Sequence, residues 1–143
     1  FFEEYMTEDA DFVFVGMGTL SLPVRVAARK MREEGVKVGF VRIKFFRPFA
    51  TEEIRDLLSR FKAVGVIDRD YSYGAPSNGG ILFHEIRSAL YPVEKRPLVV
   101  SFIAGLGGRE VRTKDISQMA FILREAIETG KVEQDNHWIG VRG

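Results

Sequence analysis

The chain has 143 residues, 45% of them hydrophobic and 29% charged, which is the size and balance of one globular domain with its own core. Its 21 Lys and Arg against 20 Asp and Glu leave a net charge of +1, so no global field draws it to nucleic acid or to an anionic membrane. The sequence holds no Cys, which excludes disulfides, thiolate catalysis and Cys-ligated zinc or iron–sulfur centres within this chain. No apolar run approaches the roughly 20 residues that span a bilayer.

The opening, FFEEYMTEDADF, has no basic n-region and no long apolar h-region, so it does not read as a signal peptide. It also lacks an initiator Met, and residues 1–10 read as the end of a linker or amphipathic helix, carrying Phe1, Phe2, Tyr5 and Met6, from a preceding domain. Residues 12–15 (FVFV) form a β-branched and aromatic run ended by Gly16, the pattern of a strand covered on both faces. From residue 20 to 34, Leu22, Val26, Ala27 and Met31 trace a helix face, with Pro23 near its start and Gly35 as its stop. Residues 36–43 (VKVGFVRI) predict a second strand.

After Pro48, Thr51 with Glu52 and Glu53 opens a helix whose apolar side is Ile54, Leu57, Leu58 and Phe61. Residues 63–67 (AVGVI) predict a third strand, followed by a polar loop over 68–80 and a helix over 81–91. Residues 98–104 (LVVSFIA) predict a fourth strand, and Thr113 caps a last helix that carries Met119, Ile122, Leu123, Ala126 and Ile127 inward and ends at Gly130. Four strands alternating with four helices predict an α/β fold, a three-layer α/β/α sandwich with a mostly parallel, Rossmann-like sheet over residues 11–130. Residues 131–143 form a polar tail closing on WIGVRG, in which Trp138 and Ile139 are apolar enough to dock on this domain or on another.

Sites in such folds gather beyond the carboxyl ends of the strands. Gly16 and Gly18, with Thr19, open a helix directly after the first strand, the setting of a dinucleotide fingerprint. Ser21 replaces the third glycine, and the second strand ends in Arg42, Lys44 and Arg47 instead of an acidic residue. A tight turn without ligand is the plainer reading, although the free N–H groups there suit an anion. Asp68, Arg69 and Asp70 end the third strand and lead into a loop containing Tyr73; two carboxylates suit acid–base work or Mg²⁺, whereas Arg69 between them favours neutral pairing and an adaptable interface. Gly105, Gly107 and Gly108 beside Arg109 permit close approach by another backbone or an anion, without the GK[ST] of a Walker loop. Neither His84 nor His137 has a second ligand at metal spacing, and no GxSxG elbow is present. No catalytic set and no metal site is expected.

The segments DFVFVGMGTLS, VKVGFVRIKFFRPF, DRDYSYGAPSNGG, IAGLGGREV and WIGVRG, in that order, resemble the C-terminal part of the α subunit of 2-oxoacid:ferredoxin oxidoreductases. IAGLGGRE and YSYGAPSNGG are most similar to the pyruvate enzyme (pyruvate synthase), with the branched-chain 2-oxoacid enzyme close behind. The resemblance implies a transketolase-C-terminal-like domain with an added antiparallel edge, following a thiamine-diphosphate domain on the same subunit. It implies a complex that oxidatively decarboxylates a 2-oxoacid, reduces ferredoxin through iron–sulfur clusters and forms an acyl-CoA. Thiamine diphosphate, Mg²⁺ and the clusters are then held by other domains and subunits, with coenzyme A as substrate and no cofactor expected in this segment. The expected role is structural assembly in a cytoplasmic complex, the partners being the preceding domain, the other subunits and, through them, ferredoxin. The alternative is a free-standing α/β domain that binds a nucleotide or phosphate at residues 16–19.

Overall fold

In chain order the elements are β1 (Phe2–Tyr5), β2 (Phe12–Met17), α1 (Ser21–Glu33), β3 (Val38–Ile43), α2 (Thr51–Leu58), β4 (Ala63–Asp68), α3 (Ile81–Leu90), β5 (Leu98–Ile103), α4 (Thr113–Thr129) and β6 (Asn136–Trp138). They come from a computed structural model that describes residues 1–70, 74, 76–105 and 109–140. Among the described residues the strands form one six-stranded sheet in the order β1-β3-β2-β4-β5-β6. Only β1 runs antiparallel, against β3; every other pairing is parallel. The α/β fold expected from the alternating pattern is therefore present.

The period-two alternation of strand side chains splits the core into two layers. Phe12 and Phe14 of β2, with Phe40 and Phe102, face α1 and α4. Val13 and Val15 of the same strand, with Val41, Val64 and Val66, face α2 and α3. Strands buried on both faces explain why residues 12–15 carry no polar position. Each fully buried Phe or Val contributes roughly 1.5–3 kcal/mol, so the two layers dominate the stability.

Three local features differ from the sequence expectation. Residues 2–5 form the antiparallel edge strand β1 instead of a helix end, because four residues pairing from Phe2↔Ile43 to Tyr5↔Phe40 satisfy the outer edge of β3. The buried face of α1 is Val24, Ala27, Ala28 and Met31, one step round from the face expected. Leu22 and Val26 instead lie outside, 70% and 50% exposed. The small Ala27 and Ala28 lie between the sheet and α4, where α1 packs closely. Finally, α4 is capped by Asp115, whose carboxylate accepts the Arg112 N–H at 2.9 Å, and not by Thr113.

The described part of the tail, residues 131–140, docks on this same domain, and residues 141–143 lie outside the described residues. The Ser101 N–H donates to Asp135 C=O at 2.7 Å and the Ile139 N–H to Ile103 C=O at 2.9 Å, on either side of β6. Ile139 is buried, while Trp138 remains 42% exposed. The Asn136 side-chain amide donates to Asn78 C=O at 3.0 Å and fastens β6 to the turn ahead of α3.

Candidate interface at the carboxyl rim of the sheet

The chain leaves β2 toward β3 through α1 on one face, and leaves β4 toward β5 through α3 on the other. The carboxyl ends of β2 and β4 therefore flank the point where the winding reverses, the usual crevice of an open α/β sheet. Gly16, Gly18 and Thr19 stand at the end of β2, and Asp68, Arg69 and Asp70 at the end of β4. Gly18 has φ +67° and supplies the left-handed turn that lets a strand pass directly into a helical segment. Across the crevice Arg69 Nη2 donates to Thr19 Oγ1 at 2.7 Å. The turn after β5 joins from the other side: the Ala104 N–H donates to Asp68 C=O at 2.9 Å, and Gly105 follows at once. Arg109 lies beside Gly140, its Nη1 donating to the carbonyl at 3.4 Å. Tyr73, Gly107 and Gly108 lie outside the described residues.

The expected pairing of Arg69 with its two neighbouring carboxylates is not what forms. Asp68 turns toward the start of α3, where its two oxygens accept the Leu82 and Phe83 N–H groups at 3.0 and 3.1 Å. It thus caps a helix whose own preceding residue, Gly80, has no side chain to do so. A Cβ at Gly80 would stand 2.1 Å from the Asp68 carboxyl, so only glycine admits the cap. Burial raises the Asp68 pKa to about 6 against the lowering effect of the two N–H donors, and the Asp70 charge adds to the rise. A carboxylate spent on a helix start is a structural group and a poor metal ligand. Among the described residues no group of three or more His, Asp or Glu is placed to hold a metal ion. The donors of this rim therefore do not fit the magnesium of a thiamine diphosphate site, and no thiolate exists for a cluster.

The rim offers instead a cationic and apolar surface. A cleft of about 540 Å³ runs between the start of α1 and the approach to α4, lined among others by Leu22, Pro23, Val26, Arg69, Arg109 and Arg112. A second cleft of about 620 Å³ adjoins it around Arg109, Arg112, Lys114 and Gly140. Among the described residues none of Arg69, Arg109, Arg112 and Lys114 has an ion-pair partner. Sequence reasoning found Arg69 and Arg109 but not Arg112, Lys114, Leu22 or Val26. The available signal was the pair of large apolar residues at i, i+4 beside an equally periodic set of smaller ones, which marks two faces and not one.

The model of the family described as pyruvate:ferredoxin oxidoreductase core domain II matches residues 10–116. The chain is 44% identical over 131 residues to the ketoisovalerate oxidoreductase subunit VorA of Pyrococcus furiosus, covering 92% of this chain and 32% of the relative. It is 43% identical over 140 residues to the pyruvate synthase subunit PorA of Pyrococcus abyssi, covering 98% and 35%. The chain thus spans about a third of the length of the curated relatives it matches. In fold it is similar to a 2-oxoglutarate:ferredoxin oxidoreductase from Magnetococcus marinus solved with 2-oxoglutarate, coenzyme A and succinyl-CoA bound. That likeness has a TM-score of 0.66 at 23% identity and covers 88% of this chain and 19% of the other. A split-gene transketolase in an inactive tetramer also shares the fold, with a TM-score of 0.61 at 16% identity, covering 88% and 41%.

Proposed function

The chain belongs to the pyruvate:ferredoxin oxidoreductase core domain II family, and from that premise we propose that it is an assembly domain of a 2-oxoacid:ferredoxin oxidoreductase. The complex would oxidatively decarboxylate pyruvate or a branched-chain 2-oxoacid to its acyl-CoA while reducing ferredoxin. The supporting observation is the near-equal identity to a pyruvate synthase subunit and a ketoisovalerate oxidoreductase subunit across more than nine tenths of this chain. The choice of 2-oxoacid is assigned in this reading to parts of the complex outside this chain.

In this reading thiamine diphosphate, magnesium and the iron–sulfur clusters belong to a preceding domain of the same subunit and to neighbouring subunits, and the complex is cytoplasmic. No residue of this chain takes a chemical step. Its contribution is rigidity: two buried layers hold the carboxyl rim in one shape, against which the catalytic parts are positioned. The nucleotide reading of residues 16–19 loses to this one, since Ser21 replaces the third glycine and the Thr19 hydroxyl is already engaged by Arg69.

The test is complementation. The chain is co-expressed with an oxidoreductase deleted for the corresponding segment, and CoA-dependent reduction of a viologen dye is followed with pyruvate and with 3-methyl-2-oxobutanoate. Restored turnover with one of the two is expected. A deleted enzyme that keeps full activity and does not bind the chain overturns the assembly role.

A further inference from the structure

We propose that the cleft between α1 and residues 109–113 is the docking groove for an acidic segment bearing apolar side chains, contributed by a part of the oxidoreductase outside this chain. This rests on the assembly role proposed above and names the chemistry of the partner. Three observations carry it. First, the surplus of positive charge is local: the whole chain is nearly neutral, yet Arg69, Arg109 and Arg112 line this cleft with Glu110 as its one carboxylate among the lining residues, and Lys114 lies in the adjoining cleft beside the largely buried Asp115. Several cations elsewhere are matched, as with Arg32 and Asp9 at 2.7 Å, Arg42 and Glu3 at 3.0 Å, and Arg47 and Glu85 at 3.0 Å.

Second, Leu22 and Val26 project on one face of α1 a single turn apart, and with Pro23 they form the apolar wall opposite those cations. The remainder of the outer face of α1 is not like this: Arg25 stacks on the Tyr5 ring at 4.7 Å, and Arg29 donates to the Tyr5 hydroxyl at 3.2 Å. A small anion uses the guanidinium groups and leaves the apolar wall wet. A segment with carboxylates on one side and aliphatic or aromatic groups on the other satisfies both walls. Third, the groove lies at the reversal of the sheet and is framed by backbone hydrogen bonds between neighbouring strand ends, so it is formed before a partner arrives.

The experiment uses the assembled oxidoreductase. Arg109→Glu with Arg112→Glu, and separately Leu22→Asp, are introduced into the chain, and the dissociation constant of the complex is measured at low and high salt. Lys95→Glu, in the connector ahead of β5, serves as the control. Each groove variant is expected to weaken assembly roughly tenfold or more, with the charge-reversed pair also losing the salt dependence of the wild type, while Lys95→Glu changes neither. Groove variants that melt like the wild type and assemble like it overturn the groove alone. Loss of assembly in the arginine variants only, with Leu22→Asp neutral and inorganic phosphate competing, also overturns it in favour of a simple anion site. A wild-type chain that does not join the complex overturns the assembly role and the groove together.

Discussion

The two ends of the sheet are finished in opposite ways. At the amino end, loop backbone extends the hydrogen bonding past the strands: the Asp11 N–H donates to Lys37 C=O at 2.8 Å, Lys62 to Asp11 at 2.8 Å and Leu98 to Lys62 at 3.0 Å. Arg32, near the end of α1, closes the same rim by reaching Val38 C=O at 2.9 Å, Met6 C=O at 2.6 Å and Asp9 at 2.7 Å. Clefts remain there, one of about 260 Å³ beside Lys37 and Lys62 and one of about 690 Å³ between the end of α3 and the start of β5. At the carboxyl end two clefts adjoin, Arg69, Arg109, Arg112 and Lys114 have no ion-pair partner among the described residues, and Leu22 and Val26 face outward. One rim completes the fold, and the other is left for something else to complete. A fold alone accounts for the first and not for the second.

Substitutions separate the two rims by what they damage. The largest effect on stability is expected, against the trend, at the carboxyl end, because the Asp68 cap on α3 and Gly80 fit tightly together there. Gly80→Ala forces a Cβ onto the Asp68 carboxyl and is expected to cost about 3 kcal/mol in denaturant unfolding, the upper part of the range for overpacking. Next comes Arg32→Ala at the amino end. Losing three hydrogen bonds from a partly buried guanidinium is expected to cost about 2 kcal/mol, with faster amide exchange over residues 2–9.

Asp68 gives a pH-dependent effect with a definite sign. Its pKa stands at about 6 in the folded chain against 3.8 for the ordinary carboxyl, so the folded state holds the proton more tightly. That contribution is present in full below pH 3.8 and is lost as pH rises through about 6. Stability is expected to fall by about 3 kcal/mol across this window, and Asp68→Asn to flatten the slope in a urea series taken at several pH values. Lys62→Ala, which breaks the exposed 3.7 Å pair with Asp11, is expected to change stability by about 0.5 kcal/mol or less. Arg109→Ala, at the open rim, is expected to leave the melting temperature unchanged and to act on assembly alone.

The layers were legible because a strand buried on both faces has no choice of residue: FVFV, AVGVI and LVVSFI admit few other conformations. The stops were legible too, as with Gly130, which has φ +79° at the end of α4. What escaped were decisions made by tertiary contact. FEEY is neutral in local preference and becomes a strand only because the edge of β3 is open. The two apolar faces of α1 are equally periodic, and close packing against the sheet and α4 selects the smaller side chains. For the candidate site, Gly16–Thr19, Asp68–Asp70 and Arg69 were visible as strand ends, and the sheet order then brought them together. The partnering of Asp68 with the N–H groups of Leu82 and Phe83 was not visible, since it depends on how α3 packs beside β4 and not on any local pattern.

The antiparallel strand β1 has a bearing on solubility. It covers VGFVRI, a β-rich segment of β3 that would otherwise present a bare sheet edge, and it turns two exposed glutamates, Glu3 and Glu4, outward in its place. An uncovered edge of that composition is a template for cross-β growth, whereas a short acidic one repels a copy of itself. The Arg32 clasp at the foot of β1 therefore guards the chain against aggregation as well as unfolding. The onset of turbidity on heating should follow the detachment of these four residues, ahead of the melting of the two layers behind them.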